Sequence, residues 1–340
     1  MEFFFLFLTI ILFNLLIFLN FKRISKGFFF FDKPDGKLKN HKDPVSIAGG
    51  FIILINLYLI FFIIKTLNLD DLIFNNNFLN IILILGSIFF VIGFIDDFKN
   101  LSPNIKLFLI IIAIFFVTFF FPEIKLESIK ISFLKNHYSF GSFSFIFTLL
   151  SFALLANAIN MFDGINLQLI CFTLFIFIIF ISKGFLPIFF ILLSISLIFI
   201  GILNYQSKVF IGDGGCYLIS SIIGATFIYQ YKIFSNFLYG DQIFIILFIP
   251  AIDMLRLFIV RIIKKKHPFK GDLNHLHHIV HSFIKNKNLT ILITLSLCIF
   301  PTLLMFLKLE TYFILILNLI LYLGLISFFV IKKKKYKSSE

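Results

Sequence analysis

The chain has 340 residues, of which 60% are hydrophobic and 14% charged, with a mean hydropathy of +1.06. A soluble domain of this length is excluded, and an all-α polytopic membrane protein is expected. The net charge is +13, but the basic residues collect at the ends of apolar runs, which reads as membrane topology and argues against a nucleic-acid partner.

Residues 3–21 form the first apolar run. No basic segment precedes it and no small-residue cleavage site follows, so an anchor helix is expected rather than a signal peptide. Further runs cover 45–64, 78–95, 104–121, 143–159, 166–182, 185–203, 215–231, 242–262, 289–307 and 312–331. That gives about eleven transmembrane helices in one integral membrane domain, 1–340. With alternating loops, 23 of the 30 lysines and arginines fall on one side. That side is expected to be cytoplasmic, with the N-terminus outside and the C-terminus inside. The 55 phenylalanines and absent tryptophan leave Tyr and Lys to the interfacial belt. Cys171, Cys216 and Cys298 lie far apart and read as small apolar residues.

Five polar stretches interrupt this pattern: His41 to Gly50, Gly93 to Pro103, Asn157 to Asn166, Phe210 to Gly215 and His267 to His281. Each follows an odd-numbered span, so all five are expected on the cytoplasmic face as one composite site. The outward segment 122–142 reads as a hairpin of little functional weight.

Asp96 and Asp97 stand where the third span meets water, and acids there are costly unless used. Ser102 and Pro103 supply a cap and a first helical residue for the next span. Adjacent helical residues point about 100° apart, so the two acids should not share one role. Asn157, Asn160 and Asp163 recur at helical spacing as one polar stripe, closed by Gly164 as a helix cap. Gly212-Asp213-Gly214-Gly215 opens the eighth span, where free N–H groups and the helix dipole suit an anion and a lone carboxylate suits Mg²⁺. Asp272 is expected to cap a short helix carrying His275 and His278 on one face, with His281 a turn further. In this basic loop, phosphate binding fits the histidines better than zinc. Asp253 and Arg256 are expected to pair. Gly49 and Gly50 suggest close helix packing or backbone approach to a ligand.

In this order the motifs resemble the polyprenyl-phosphate N-acetylhexosamine-1-phosphate transferases, over roughly residues 41–281. The Asp pair matches Asp96-Asp97, followed by Leu101-Ser102-Pro103 and Lys106-Leu107; Asn-Ala-x-Asn-x-x-Asp-Gly matches Asn157 to Gly164. Gly212-Asp213 matches the Gly-Asp before span eight. Pro-Phe-x-x-Asp-x-x-His-x-His-His matches Pro268 to His278, in the form of the branch using simple UDP-N-acetylhexosamines. The chain departs from the family pattern at Ile47-Ala48, Asn166, Cys216 and Leu273.

The resemblance implies transfer of a hexosamine 1-phosphate from a UDP-sugar to undecaprenyl phosphate at the bacterial inner membrane. UMP is released, and cell-envelope polysaccharide synthesis, such as that of O-antigen lipopolysaccharide or teichoic acid, begins. It implies Asp96, Asp97 and Asp163 as catalytic residues, and Asp213 with Asn160 as ligands of Mg²⁺ or, in its place, Mn²⁺. Lys106, Asn157, Asn166, Asp272, His275, His277 and His278 would bind substrate, and a homodimer is compatible with it. The alternatives are a phospho-N-acetylmuramoyl-pentapeptide transferase and, in a different class, a membrane carrier with a cytoplasmic metal or phosphate site.

Overall fold

The computed structural model describes residues 2–27, 31–32, 43–67, 76–134, 137–233, 238–268 and 272–337. The expectations that touch His41, Lys42 and residues 269–271 lie outside that set. The described helices are α1 (Glu2–Gly27), α2 (Gly49–Thr66), α3 (Asn76–Lys99), α4 (Pro103–Phe120), α5 (Ser144–Phe162) and α6 (Gln168–Ser182). They continue with α7 (Pro187–Tyr205), α8 (Gly212–Ile233), α9 (Gly240–Ile263), α10 (Leu276–Ile284), α11 (Lys287–Phe306) and α12 (Thr311–Lys337). Each of the eleven apolar runs falls largely on one of these, although the run expected from residue 45 starts in a short strand and becomes helical only at Gly49. Among the described residues, nine helices are long and apolar enough to cross a membrane. The helix α6 is apolar but has only 15 residues, and α8, which carries Asp213, Ser220, Ser221, Thr226 and Gln230, is a polar helix.

The reason for that polarity is position. Every residue of α8 from 214 to 230 is buried, because α2, α3 and α5 pack around it. A helix covered on all sides has no lipid-facing stripe to keep greasy. Its hydroxyls return to their own backbone: Ser220 Oγ donates to Tyr217 O at 2.8 Å and Ser221 Oγ to Leu218 O at 2.7 Å. Glycines allow the close approach. A Cβ on Gly50 would lie 2.4 Å from Gly215 N, and one on Gly93 would lie 2.4 Å from Asp213 O. These two glycines seat the N-terminus of α8 against α2 and α3.

Short strands tie the loops at the same end. β1 (Phe31–Asp32) pairs antiparallel with β2 (Val45–Ser46). Phe210 N then donates to Ser46 O at 2.8 Å, and Gly49 N and Gly50 N donate to Phe210 O and Ile211 O, each at 3.0 Å. The Gly49-Gly50 pair is thus filled by the protein's own backbone. At the far end, β3 (Ser128–Lys130) and β4 (His137–Ser139) form the expected hairpin. It is fastened to α9 by Asp241, which accepts from Ser132 N at 2.9 Å and from the Ser132 and Thr311 hydroxyls.

Candidate active site

The five polar stretches converge at one end of the bundle through their described residues. The junction between α3 and α4 builds the first part. Asn100 takes the left-handed conformation with φ 44° and ends α3. Ser102 caps α4, accepting from Ile105 N at 3.5 Å, with Pro103 in the first turn. This is the expected stop and restart. It lets Asp96 fold back on the junction: its Oδ1 accepts from Leu101 N at 2.8 Å, and its Oδ2 forms an ion pair with Lys106 on α4. Asp96 is buried.

Asp97 points elsewhere, as adjacent helical residues must. Its Oδ1 accepts from Asp213 N at 2.9 Å and its Oδ2 from Gly214 N at 3.1 Å. The anion at the start of α8 is therefore the protein's own carboxylate, which corrects the expectation of free N–H groups there. Gly212, at φ +73°, is required twice over: for that backbone, and because a Cβ would lie 2.8 Å from Asp97 Oδ2. This arrangement leaves the Asp213 side chain against the Asp96 carboxylate.

The loop after α5 closes the acidic centre. Asp163 ends α5 and accepts a 3.5 Å contact from Cys216 Sγ on α8. Burial, with the charge of Asp97 nearby, pushes its carboxyl up to about 6. Asn160 is hydrogen-bonded to the Tyr217 hydroxyl, which also lies in the field of Asp213 and Asp96. Asn157 turns away and donates to Ala153 O of its own helix at 2.8 Å. Asn166 also serves the fold, donating to Asn204 O at 2.7 Å and Ser207 Oγ at 2.9 Å.

Gly164 is not a left-handed helix cap, since its φ is not positive. It is a glycine because a Cβ would lie 1.9 Å from His277 Nε2. His277 is buried, with its Nδ1 3.4 Å from Gln168 Nε2. Its Nε2 has no hydrogen-bond partner among the described residues. Burial, reinforced by His278 and His275, holds its imidazole well below the usual histidine range. Burial and His275 lower His278 to about 4. Both rings are neutral at pH 7, so they act as hydrogen-bonding groups and not as cations.

The histidine turn differs from expectation at its start. α10 begins at Leu276 with His275 before it, and Asp272 does not cap it. Asp272 instead accepts from Arg261 Nε at 2.9 Å and Asn274 N at 2.8 Å. Burial raises its carboxyl, but the Arg261 bond outweighs that and holds it below the ordinary carboxylate value. The cap comes from Asp253, whose Oδ2 accepts from Leu276 N at 3.2 Å. Asp253 and Arg256 pair as expected, at 2.7 Å. Sequence reasoning missed Tyr217, Gln168 and Arg261; apolar runs gave them no motif to stand in.

The donor set suits a divalent cation. Asp96, Asp97, Asp163 and Asp213 interact electrostatically in a cluster in which Asp96 is buried and the other three are half-buried, with Lys106 as a basic partner that contacts it. Among the described residues no three His, Cys, Asp or Glu side chains form a ready-made metal cage. Mg²⁺ fits such a set, since it takes few protein oxygens and completes its shell with water and phosphate. An apolar cavity of about 310 Å³ lies between α5, α8 and α9. Its lining runs from Leu126 and Ile129 of the hairpin to Ala158 and Met254, neighbours of Asn157 and Asp253.

Comparison with known proteins agrees with this geometry. Three relatives carry closely similar names. The undecaprenyl-phosphate alpha-N-acetylglucosaminyl 1-phosphate transferase of Thermotoga maritima is 26% identical over 275 residues, 79% of each chain. The protein of the same name from Escherichia coli K12 is 26% identical over 307 residues, 85% of this chain and 79% of its own. The probable undecaprenyl-phosphate N-acetylglucosaminyl 1-phosphate transferase of Bacillus subtilis is 29% identical over 220 residues, 61% of this chain and 59% of its own. Residues 79–231, from α3 to α8 and so through Asp96, Asp97, Asp163 and Asp213, match the family model for glycosyl transferase family 4.

Proposed function

We propose that this protein transfers N-acetylglucosamine 1-phosphate, or a closely similar N-acetylhexosamine 1-phosphate, from its UDP conjugate to undecaprenyl phosphate at the cytoplasmic face of the bacterial inner membrane. The product starts a cell-envelope polysaccharide. The observation that carries this reading is the convergence of four acids, Asp96 buried and Asp97, Asp163 and Asp213 half-buried, with Lys106 at one end of a bundle of apolar helices. The names of the relatives supply the substrate class.

In the reaction, an oxygen of the lipid phosphate attacks the sugar-linked phosphorus of the donor. The bond to the bridging oxygen breaks, and UMP leaves. Such transfers depend on positioning and charge neutralisation more than on covalent chemistry by the protein. Lys106 would attract the lipid phosphate, and Asp96, which it pairs with, would orient the attacking oxygen and accept its proton. Asp97 would hold the first turn of α8, and with it Asp213, in register. Asp213 and Asp96, with Asn160, would hold Mg²⁺, which when bound neutralises charge on the diphosphate. His275, His277 and His278 would donate hydrogen bonds to donor phosphate oxygens. The cavity between α5, α8 and α9 would take apolar lipid chain.

The test is UMP release by purified protein with undecaprenyl phosphate, Mg²⁺ and a panel of UDP-N-acetylhexosamines. Lipid-dependent release, lost in Asp213→Ala, is expected. A folded preparation that releases no UMP with any donor would overturn the proposal.

A further inference from the structure

The histidine turn is held from a part of the chain that carries none of the motifs. Asp253, buried on α9, gathers its contacts on two oxygens. Oδ1 accepts from Arg256 Nη2 and from the Tyr322 hydroxyl of α12, each at 2.7 Å. Oδ2 accepts from Leu276 N at 3.2 Å and stands 3.3 Å from His275 Nδ1. Arg256 binds both sides of the node: its Nε donates to the Tyr322 hydroxyl at 2.7 Å and its Nη2 to Asn274 O at 2.6 Å. Tyr322 is fully buried and its hydroxyl both accepts and donates. The apolar surroundings make this a network whose members are costly to leave unpaired.

The contacts then run on to the acidic centre. The His275 and His277 rings are parallel within 7°, with centroids 5.5 Å apart. His277 in turn presses on Gly164, next to Asp163. Resting on the reading of function above, we infer that Tyr322, acting through Asp253 and Arg256, is a positioning residue that sets the His275 and His277 rings for the donor diphosphate. The last spanning helix, outside both the motif region and the matched family segment, is then part of the active-site scaffold. A hydrogen-bonded partner on the far nitrogen of an imidazole fixes which nitrogen faces the ligand and at what angle. Small displacements of such groups reduce turnover without unfolding the protein.

Tyr322→Phe removes one oxygen and leaves Asp253 and Arg256 in contact. The experiment compares wild type, Tyr322→Phe, His275→Ala and the double variant in the UMP-release assay, with thermal unfolding in detergent alongside. The expected result is a fall of about 10-fold in kcat/KM for the nucleotide sugar in Tyr322→Phe. KM for the lipid phosphate should stay within about twofold, since the effect is carried through the histidines. In the His275→Ala background, Tyr322→Phe should add little, because coupled residues are not additive. Arg256→Lys, which keeps the charge but not the forked geometry, should behave like Tyr322→Phe and serves if that variant cannot be purified. Wild-type kinetics in either single variant overturn the inference, and so does a loss that multiplies with that of His275→Ala. Wild-type protein that releases no UMP with any donor overturns the reading of function, and this inference with it.

Discussion

Asp97 caps the helix that carries Asp213. Its two oxygens accept from the first-turn N–H groups of Asp213 and Gly214 at 2.9 and 3.1 Å. Its neighbour Asp96 faces Lys106. The pair therefore divides its labour, one acid toward the backbone and one toward the chemistry. Asp97→Ala should lower stability by about 1 kcal/mol, the usual worth of a helix cap, and also reduce turnover because Asp213 shifts. Asp97→Asn keeps an acceptor and should recover most of the unfolding temperature. Asp96→Asn should do the reverse, with near-native unfolding and a loss of at least about 100-fold in turnover. Equal thermal shifts in the Ala and Asn variants of Asp97 would contradict the cap.

Gly93 gives an independent test of the same register. A Cβ there would meet the Asp213 carbonyl at 2.4 Å and the Gly214 Cα at 2.7 Å, both backbone atoms that cannot swing aside. Gly93→Ala should destabilise by about 1–3 kcal/mol through overpacking. It should also slow turnover, although Gly93 has no side chain to touch substrate. Calorimetry and UMP release on the same preparation check this, and unchanged activity would show that the α3–α8 spacing does not govern Asp213.

Much of this could be read from the residues alone. The eleven apolar runs each became a helix because hydropathy at that length has few other outcomes. The convergence of the polar stretches followed from loop parity. The junction at Ser102 and Pro103 and the Asp253–Arg256 pair followed from local spacing. What sequence reasoning lacked was long-range contact. Nothing near Gly212 says that Asp97, more than 100 positions earlier, occupies the start of α8. Gly164 looked like a helix cap, and only the His277 ring explains it. Asp272 had the right spacing to cap α10, but Asp253 does so from another helix. Asn166 ended a polar stretch and was expected to bind substrate, yet its amide is engaged by Asn204 and Ser207.

The meeting of Gly164 and His277 predicts a rescue. Gly164→Ala would place a methyl 1.9 Å from His277 Nε2, so the loop after α5 or the α10 helix must move. The single variant should unfold at lower temperature, with an overpacking cost of about 1–3 kcal/mol. Adding His277→Ala removes the ring and should restore much of the loss, although the double variant stays slow in turnover. Two losses that simply add would mean that the two positions do not touch.

Acid should weaken the fold through the histidine turn. Burial lowers the His278 imidazole from 6.5 to about 4. The folded state then binds fewer protons than the unfolded chain between those values, so this contribution is complete above about pH 6.5 and is lost as pH falls toward 4. Asp163, pushed up to about 6, acts with the opposite sign over part of the range. The informative quantity is therefore the difference between wild type and His278→Gln. Unfolding temperatures recorded from pH 7 to pH 4.5 should fall more steeply for the wild type. Parallel curves would show that His278 titrates normally.

The acidic cluster predicts a dependence on divalent cations. Asp96, buried, and Asp213, half-buried, face each other, with Lys106 paired to Asp96. Carboxylates at such separation repel, and a bound cation removes that repulsion. Chelation should abolish UMP release, and Mg²⁺ or Mn²⁺ should restore it. The same titration read by thermal unfolding should show stabilisation that grows with cation concentration, as linkage requires of any ligand bound only by the folded state. Asp213→Asn should remove both responses. Zn²⁺ should not substitute, because the cluster offers carboxylate and amide oxygens, a donor set that suits Mg²⁺ better than Zn²⁺. Stabilisation that survives in Asp213→Asn would place the cation elsewhere and leave Asp213 a different task.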